Sequence, residues 1–84
     1  MKILFTEEAW EEYLHWQQTD KKILKRINEL IRAVQKEPVV GIGKPEALKY
    51  QLHGCWSRRI TEEHRLVYEI IEDSVRIISC RYHY

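Results

Sequence analysis

Apolar side chains recur at every third or fourth position between Asp20 and Pro38, and this stripe is the strongest structural signal in the sequence. Its members are Ile23, Leu24, Ile27, Leu30, Ile31 and Val34. A stripe with this period predicts an amphipathic helix that buries one face. Proline cannot continue a helix, so Pro38 marks its end, and Thr19-Asp20 caps its start. Such a helix needs a partner surface to cover its apolar face.

A second helix is predicted immediately upstream. Thr6 is suited to cap it, and acidic residues follow in the first turns, where the helix dipole favours them: Glu7, Glu8, Glu11 and Glu12. Residues at helical spacing form an apolar and aromatic stripe that we interpret as core: Ala9, Trp10, Tyr13, Leu14 and Gln17. The link between the two helices is short, so we expect a helical hairpin.

The remaining segments are predicted to be strands. Residues 2–5 form a short apolar run before the first helix, and the stretch 39–46 is a loop because it holds two glycines and a proline. Four strand-like runs follow it, at 48–52, 55–61, 65–71 and from 75 to the C-terminus. The order β-α-α-β-β-β-β in 84 residues predicts one α+β domain, residues 1–84, with two helices on one face of an antiparallel-rich sheet.

Charge is separated along the chain although the net charge is only +1. Residues 1–20 carry one lysine against five carboxylates, whereas residues 21–36 carry six basic residues against one glutamate. The six are Lys21, Lys22, Lys25, Arg26, Arg32 and Lys36, here called the basic helix face. A solvated helix surface is one interpretation, and a nucleic-acid contact is the other.

Several classes of protein are disfavoured. No apolar run is long enough to cross a membrane, and the first residues do not resemble a signal peptide, so we expect a cytoplasmic protein with reduced Cys55 and Cys80. The histidines and cysteines lack the spacing of a zinc site. Gly41-Ile42-Gly43-Lys44 lacks the full length of a nucleotide-binding loop. We therefore predict neither a metal nor a cofactor.

Polar residues on the predicted strands indicate a possible chemistry. In an alternating strand, Arg65, Val67 and Glu69 face away from Leu66, Tyr68 and Ile70, and Arg58 and Arg59 point to opposite faces. The open face or its rim then collects Lys44, Lys49, Arg65, Arg81 and at least one of Arg58 and Arg59, with Glu46, His83 and Tyr84 nearby. A carboxylate, an imidazole and cations can together cleave RNA through its own 2′-hydroxyl.

In that scheme Glu46 is the general base, His83 the general acid and Arg65 the stabiliser of the charge on phosphorus. Lys49 adds a point charge, and Tyr84 stacks on a base. Each of the first three also has a simpler interpretation. Glu46 can be a solvated surface glutamate and His83 a solvated histidine near the terminus. Arg65 can be paired with Glu62 or Glu69. The spacing alone leaves both interpretations open.

Longer motifs distinguish the ribonuclease interpretation from that of a solvated surface. The stretches WSRRITEEHRLVY at 56–68 and CRYHY at 80–84 are the most specific, and shorter ones lie at 7–10, 20–22, 27–31 and 43–46. In these motifs the chain resembles the YoeB toxins, a family of the RelE/ParE toxin-antitoxin superfamily, over essentially its whole length. The resemblance implies a RelE-like fold and a ribosome-dependent endonuclease that cuts mRNA at A-site codons, inhibited by a YefM-like antitoxin.

The resemblance also implies site residues. Glu46, Arg65 and His83 match the family's base, phosphate-binding and acid positions, and Lys49, Arg59 and Tyr84 match supporting ones. With a ribosomal substrate, Lys21, Lys22, Lys25 and Arg26 become candidates for docking on rRNA. A second copy of the chain is a further candidate partner. Two alternatives stay open: a ParE-like toxin that binds DNA gyrase without chemistry, and a non-catalytic RNA-binding module.

Overall fold

The computed structural model describes residues 1–83, and two helices begin where the sequence predicts. Helix α1 spans Glu7–Thr19, and the Thr6 hydroxyl accepts a hydrogen bond from the Ala9 amide at its N-terminus. Helix α2 spans Lys21–Lys36, and the Asp20 carboxylate accepts from the amides of Lys22 and Ile23. Both caps satisfy amide groups that have no partner within the helix.

Five strands form one sheet in the order β1-β5-β4-β3-β2. Their bounds are Lys2–Phe5 for β1, Glu46–Ala47 for β2, Trp56–Arg59 for β3, Arg65–Ile71 for β4 and Ser74–Ser79 for β5. Strand β1 is parallel to β5, and the other neighbours are antiparallel. The predicted α+β architecture, with two helices and an antiparallel-rich sheet, is confirmed.

The main core lies between the helices and one face of the sheet. Ile27, Leu30 and Val34 of α2 are fully buried there with Leu66 and Tyr68 of β4. The opposite face, here called the outer face, carries a smaller apolar cluster of Leu48, Cys55 and Val67, against which Leu52 and Ile78 pack. The predicted alternation of β4 between two faces is therefore confirmed.

Two predictions about the strands are wrong. Residues 48–52 are not a strand: the paired residues lie earlier, at Glu46–Ala47, and Tyr50–Leu52 form a short 3₁₀ turn. Tyr50 has a φ of 58°, which a strand cannot accommodate, and the Leu52 amide bonds back to the Lys49 carbonyl. The last strand ends at Ser79 and does not run to the C-terminus.

The prediction that the aromatic stripe of α1 is core is also wrong in part. Ala9 and Trp16 are the buried residues of α1, whereas Trp10 is 45% exposed. Trp10 stacks on Tyr13 with 5.7 Å between ring centroids, and Phe5 meets both rings edge-on. Positions 9 and 16 lie seven residues apart and so share one helix face, while Trp10 lies to its side.

Candidate active site

Strand register places three of the predicted site residues on the outer face. Glu46 of β2 pairs with Ser57 of β3, which in turn pairs with Val67 of β4. Arg59 pairs directly with Arg65 at the end of the β3–β4 ladder. Because paired residues point to the same side of a sheet, Glu46, Arg59 and Arg65 lie on the face opposite the helices.

Arg58 and Arg59 lie on opposite faces of the sheet. Arg58 is fully buried on the helix side, where its guanidinium donates to carbonyl oxygens of the loop that follows α2. Arg59 is exposed on the outer face. The prediction that these neighbours point to opposite faces is confirmed, and Arg59 is the member that faces solvent.

The Arg59–Arg65 pair creates a concentration of positive charge. Like charges opposite each other are unfavourable unless an anion lies between them. Within residues 1–83, neither arginine forms an ion pair, so the alternative interpretation of Arg65 as a partner of Glu62 or Glu69 is not observed there; Glu69 pairs with Arg76 at 2.7 Å instead. The geometry therefore suits an anionic group bound from outside.

The Arg65 side chain is held in place by backbone oxygens. Its Nη1 donates to the carbonyls of Thr61 at 2.6 Å, Glu62 at 2.9 Å and His64 at 3.1 Å. All of these bonds use one nitrogen, so Nε and Nη2 have no acceptor within the described residues. A guanidinium fixed in this way presents a preoriented edge to a phosphate.

The chain after β5 crosses back towards this edge. At its start, the Cys80 amide donates to Glu12 Oε1 at 2.8 Å, and Trp16 Nε1 donates to the Cys80 carbonyl at 2.9 Å. Farther along, the Arg81 guanidinium lies 4.8 Å from the Tyr82 ring centroid and 5.8 Å from that of Trp16. These contacts anchor residues 80–82 between α1 and the turn that precedes β4.

His83 then meets the backbone that holds Arg65. Its Nε2 lies 2.8 Å from the Glu62 carbonyl oxygen, and since a carbonyl only accepts, Nε2–H is the donor. Arg65 Nη1 donates to the same oxygen. The structure thus brings two of the three predicted catalytic side chains to one shared acceptor.

Glu46 lies farther away on the same face. It is exposed, and β3 separates its strand from β4. With neighbouring strands about 4.8 Å apart, roughly 10 Å separates β2 from β4. Glu46 therefore lies on the same face as Arg65, two strands away from it.

The supporting residues are distributed less tightly. Lys49 is exposed in the segment between β2 and the 3₁₀ turn, and it forms no ion pair with any residue from 1 to 83. Tyr84, the predicted base-stacking residue, lies outside the described residues. Among the residues described, no group of three or more His, Cys, Asp and Glu side chains is arranged to hold a metal ion.

A groove of about 390 Å³ runs beside His83. Apolar side chains of the outer-face cluster line one part of it, and the polar residues Glu8, Glu12, Ser79, Arg81, Tyr82 and His83 line the rest. Burial, the largest effect, raises the pKa of Glu12, whereas the hydrogen bond from Cys80 lowers it. Burial also raises the pKa of the Cys80 thiol to about 12, so this thiol is not ionised near neutral pH.

One residue of this region was missed by sequence reasoning. His64 is buried, and its Nδ1 accepts a hydrogen bond from the Tyr82 amide at 2.7 Å. Its position directly before Arg65 was the available signal, but no spacing rule connects it to residue 82.

The basic helix face lies on α2, on the other side of the sheet. Lys21, Lys22 and Lys25 are exposed and have no ion-pair partner among residues 1–83. Arg26 is half-buried and lies 3.9 Å from Glu29, so its charge is partly compensated. The described part of the chain contains no helix long and apolar enough to cross a membrane.

Comparisons with known proteins give a consistent result. Residues 5–84 match the model of a family described as YoeB-like toxin of bacterial type II toxin-antitoxin system. Toxin YoeB of Escherichia coli (strain K12) is 60% identical over 84 residues, which is 100% of both chains. A YoeB/ParE toxin structure from Agrobacterium tumefaciens has a TM-score of 0.98 and 45% identity, again over 100% of both chains.

Structures of YoeB from Staphylococcus aureus are similar as well. They describe this relative as a dimer and as a heterotetrameric complex with YefM. In each case the identity is 48% and the TM-score 0.93, over 100% of this chain and 98% of the other. These likenesses confirm the predicted RelE-like type of fold.

Proposed function

The chain belongs to the YoeB-like toxin family of bacterial type II toxin-antitoxin systems, and from this premise we propose that it is a ribosome-dependent endoribonuclease. It cuts mRNA at the codon in the ribosomal A site and thereby inhibits translation. One observation carries the proposal: Arg65 and His83 converge on the Glu62 carbonyl, next to Arg59 and on the face that also bears Glu46.

In the proposed chemical step, the RNA supplies the nucleophile and the protein side chains supply the base and the acid. Glu46 removes the proton from the 2′-hydroxyl, and the 2′-oxygen then attacks the adjacent phosphorus. A new bond forms between the 2′-oxygen and phosphorus, and the bond to the 5′-oxygen breaks. His83, as imidazolium, gives a proton to that leaving oxygen, so one fragment ends in a 2′,3′-cyclic phosphate.

The cations stabilise the transition state. Negative charge increases on the phosphate oxygens as the 2′-oxygen attacks, and fixed donors are most effective where such charge develops. Arg65 supplies the guanidinium edge that has no acceptor within residues 1–83, Arg59 supplies a second guanidinium and Lys49 adds a point charge. Tyr84 is proposed to stack on a base beside the scissile bond.

Primer extension on a defined mRNA with ribosomes tests this function. The variant is His83→Gln, which keeps a polar side chain but removes the imidazole. The control is His53→Gln, which changes an exposed histidine in the turn before β3. We expect codon-positioned cuts by the wild type and the control, and a loss of about 10²-fold or more in His83→Gln.

The outcomes separate the alternatives. Cutting that survives His83→Gln removes His83 as the acid. No cutting by the wild type, with or without ribosomes, refutes the ribonuclease function, and inhibition of DNA gyrase in a supercoiling assay would then favour the ParE-like alternative. Fold does not distinguish these functions, since binding and catalysis occur on the same scaffold.

The basic helix face is proposed to dock on rRNA, mainly through Lys21, Lys22, Lys25 and Arg26. These exposed lysines have no ion-pair partner within residues 1–83, and such side chains contribute an affinity for a polyanion that decreases with salt. The triple variant Lys21→Glu, Lys22→Glu and Lys25→Glu is expected to weaken ribosome binding about tenfold or more at physiological salt. Lys2→Glu, which changes one lysine on β1, is the control. Unchanged binding of the triple variant would contradict this docking.

A YefM-like antitoxin is the proposed inhibitory partner, as the Staphylococcus aureus relative was solved in complex with YefM. A second copy of the chain is a further proposed partner, because the same relative was solved as a dimer. We propose that the antitoxin displaces His83 and Tyr84, and a complex in which both stay accessible and unmoved would contradict this. Action on ribosomes implies that the protein works in the cytoplasm.

A further inference from the structure

The His64 imidazole occupies a buried site between α1 and the last residues of the chain. The residue is 7% exposed, and its ring meets the Trp16 ring edge-on at 4.7 Å between centroids. Nδ1 accepts a hydrogen bond from the Tyr82 amide at 2.7 Å. An accepting nitrogen carries no hydrogen, so the ring proton of the neutral side chain lies on Nε2, where Glu63 Oε1 is 3.6 Å away.

Tyr82 is held on both sides of its backbone. His64 binds its amide, and the Arg65 amide donates to its carbonyl oxygen at 3.1 Å. Tyr82 also has a φ of 64°, a left-handed conformation that is unfavourable for a residue with a side chain. Such a conformation persists only where surrounding contacts enforce it. The hydrogen bond that Tyr82 donates to His64 and the one that it accepts from Arg65 provide that enforcement.

The bend at Tyr82 decides where His83 lies. The residue immediately after the bend places its Nε2 at 2.8 Å from the Glu62 carbonyl, the oxygen that also accepts from Arg65. Residues 61–65 therefore hold the Arg65 side chain, the Tyr82 backbone and the His83 ring close to one another. A change in the Tyr82 backbone would move His83 relative to Arg65, although neither side chain had been altered.

We propose that His64 is a positioning residue for the ribonuclease reaction. Its Nδ1 lone pair holds the left-handed bend at Tyr82 and so sets the place of His83 beside Arg65. His64 acts through Tyr82 and does not itself contact the RNA. This inference rests on the proposed function, because it concerns the placement of the proposed general acid.

A packing role and a positioning role predict different results for matched variants. His64→Leu fills much of the space against Trp16 but has no acceptor. His64→Asn puts an amide oxygen near the position of Nδ1, whereas His64→Gln extends its amide towards the position of Nε2. Packing alone predicts similar behaviour for all three. Positioning predicts that only Asn preserves the bond to the Tyr82 amide.

The first test is cleavage under single-turnover conditions with saturating ribosomes. A misplacement of about 1 Å in a catalytic group can cost about 10²-fold in rate, so we expect a loss of roughly 10-fold to 10²-fold in His64→Leu and His64→Gln. His64→Asn should stay within about threefold of the wild type. The dissociation constant for ribosomes should be unchanged in all variants, since no contact to the ribosome is altered.

The second test does not depend on activity. Hydrogen exchange should show the Tyr82 amide protected in the wild type and in His64→Asn, and faster by about tenfold or more in the other two variants. Nitrogen NMR of the histidine rings in the wild type should show His64 as the neutral form with its proton on Nε2. Should His64→Leu fail to fold, the comparison of His64→Asn with His64→Gln carries the same information.

Opposite results would overturn the proposal. Equal cleavage rates for His64→Asn and His64→Gln, a proton on Nδ1, or an unprotected Tyr82 amide in the wild type each contradict it. If the wild type cuts RNA but the variants cut equally well, only the role of His64 fails. If the wild type cuts no RNA, the proposed function fails and the positioning role fails with it.

Discussion

Arg58 is expected to be the single most important polar side chain for stability. Its Nη2 donates to the carbonyls of Glu37 at 2.6 Å and Val40 at 2.9 Å, and its Nη1 donates to that of Ile42 at 3.1 Å. Its Nε donates to the Tyr68 hydroxyl at 3.1 Å, and the residue is fully buried. Arg58 thus fastens the loop after α2 to the sheet.

The magnitude follows from these four bonds. Each hydrogen bond to a charged group contributes about 1.5–3 kcal/mol, but the values are not additive, and loop carbonyls that lose Arg58 can bond to water. Arg58→Met also removes a buried positive charge, and this offsets a further part of the lost stability. We therefore expect Arg58→Met to lower the free energy of unfolding by about 3–5 kcal/mol, against a total of roughly 4–13 kcal/mol for a chain of 84 residues.

Urea unfolding and thermal melting measure this effect. A loss of this size corresponds to a fall in Tm of roughly 12–40 °C for a domain of this length. Arg59→Met is the matched control, since Arg59 is the exposed neighbour on the other face. It should change stability by less than about 0.5 kcal/mol while reducing RNA cleavage. A cost below about 1 kcal/mol for Arg58→Met, or equal costs for both variants, would refute the reasoning.

Three further outcomes can be checked. Burial raises the pKa of Glu12, so ionisation of this group opposes folding as pH rises from about 4.5 through the raised value. Glu12→Gln should remove that part of the pH dependence in urea denaturation curves recorded between about pH 4 and 7, and an unchanged pH dependence in this variant would contradict the argument. A Cβ at Gly43, where φ is 84°, would lie 2.7 Å from a core side chain of α2, while one at Gly54, where φ is 96°, meets nothing within 4 Å. Gly43→Ala should therefore cost about 2–4 kcal/mol and Gly54→Ala about 1–2 kcal/mol in chemical denaturation, and equal costs would contradict the steric argument. Burial raises the pKa of Cys80 to about 12, so mass spectrometry should find it unmodified by iodoacetamide at pH 8 in the native protein and alkylated in urea.

Local signals in the sequence predicted the regular elements well. The caps at Thr6 and Asp20 and the stripe of α2 depend on contacts within one or two helical turns, so neighbouring residues suffice to specify them. Strand β4 was predicted at its observed bounds because alternation along a strand is also a local pattern. The 3₁₀ turn at Tyr50–Leu52 was missed, since residues 48–52 alternate between apolar and polar side chains before a turn signal, a pattern that is also typical of a strand.

In the candidate site, too, some features follow from local sequence signals and others depend on distant contacts. Residue types and the family motifs were sufficient to nominate Glu46, Arg65 and His83, and alternation predicted that Arg58 and Arg59 diverge. Which arginine is buried depends on the loop after α2, more than fifteen residues upstream, whose carbonyls accept from Arg58. Alternation gives opposite faces, but it does not say which face is covered.

The sequence by itself determined the two helices, the faces of the strands and the chemical types available for catalysis, because each depends on neighbours along the chain. Only the tertiary structure decided that His83 meets Arg65 at the Glu62 carbonyl and that His64 holds the bend before it. The segment after β5 is anchored by two hydrogen bonds between Cys80 and α1, which join residues 68 and 64 positions apart in the sequence. Contacts across such separations form only when the whole sheet and both helices are in place, and no local propensity encodes them.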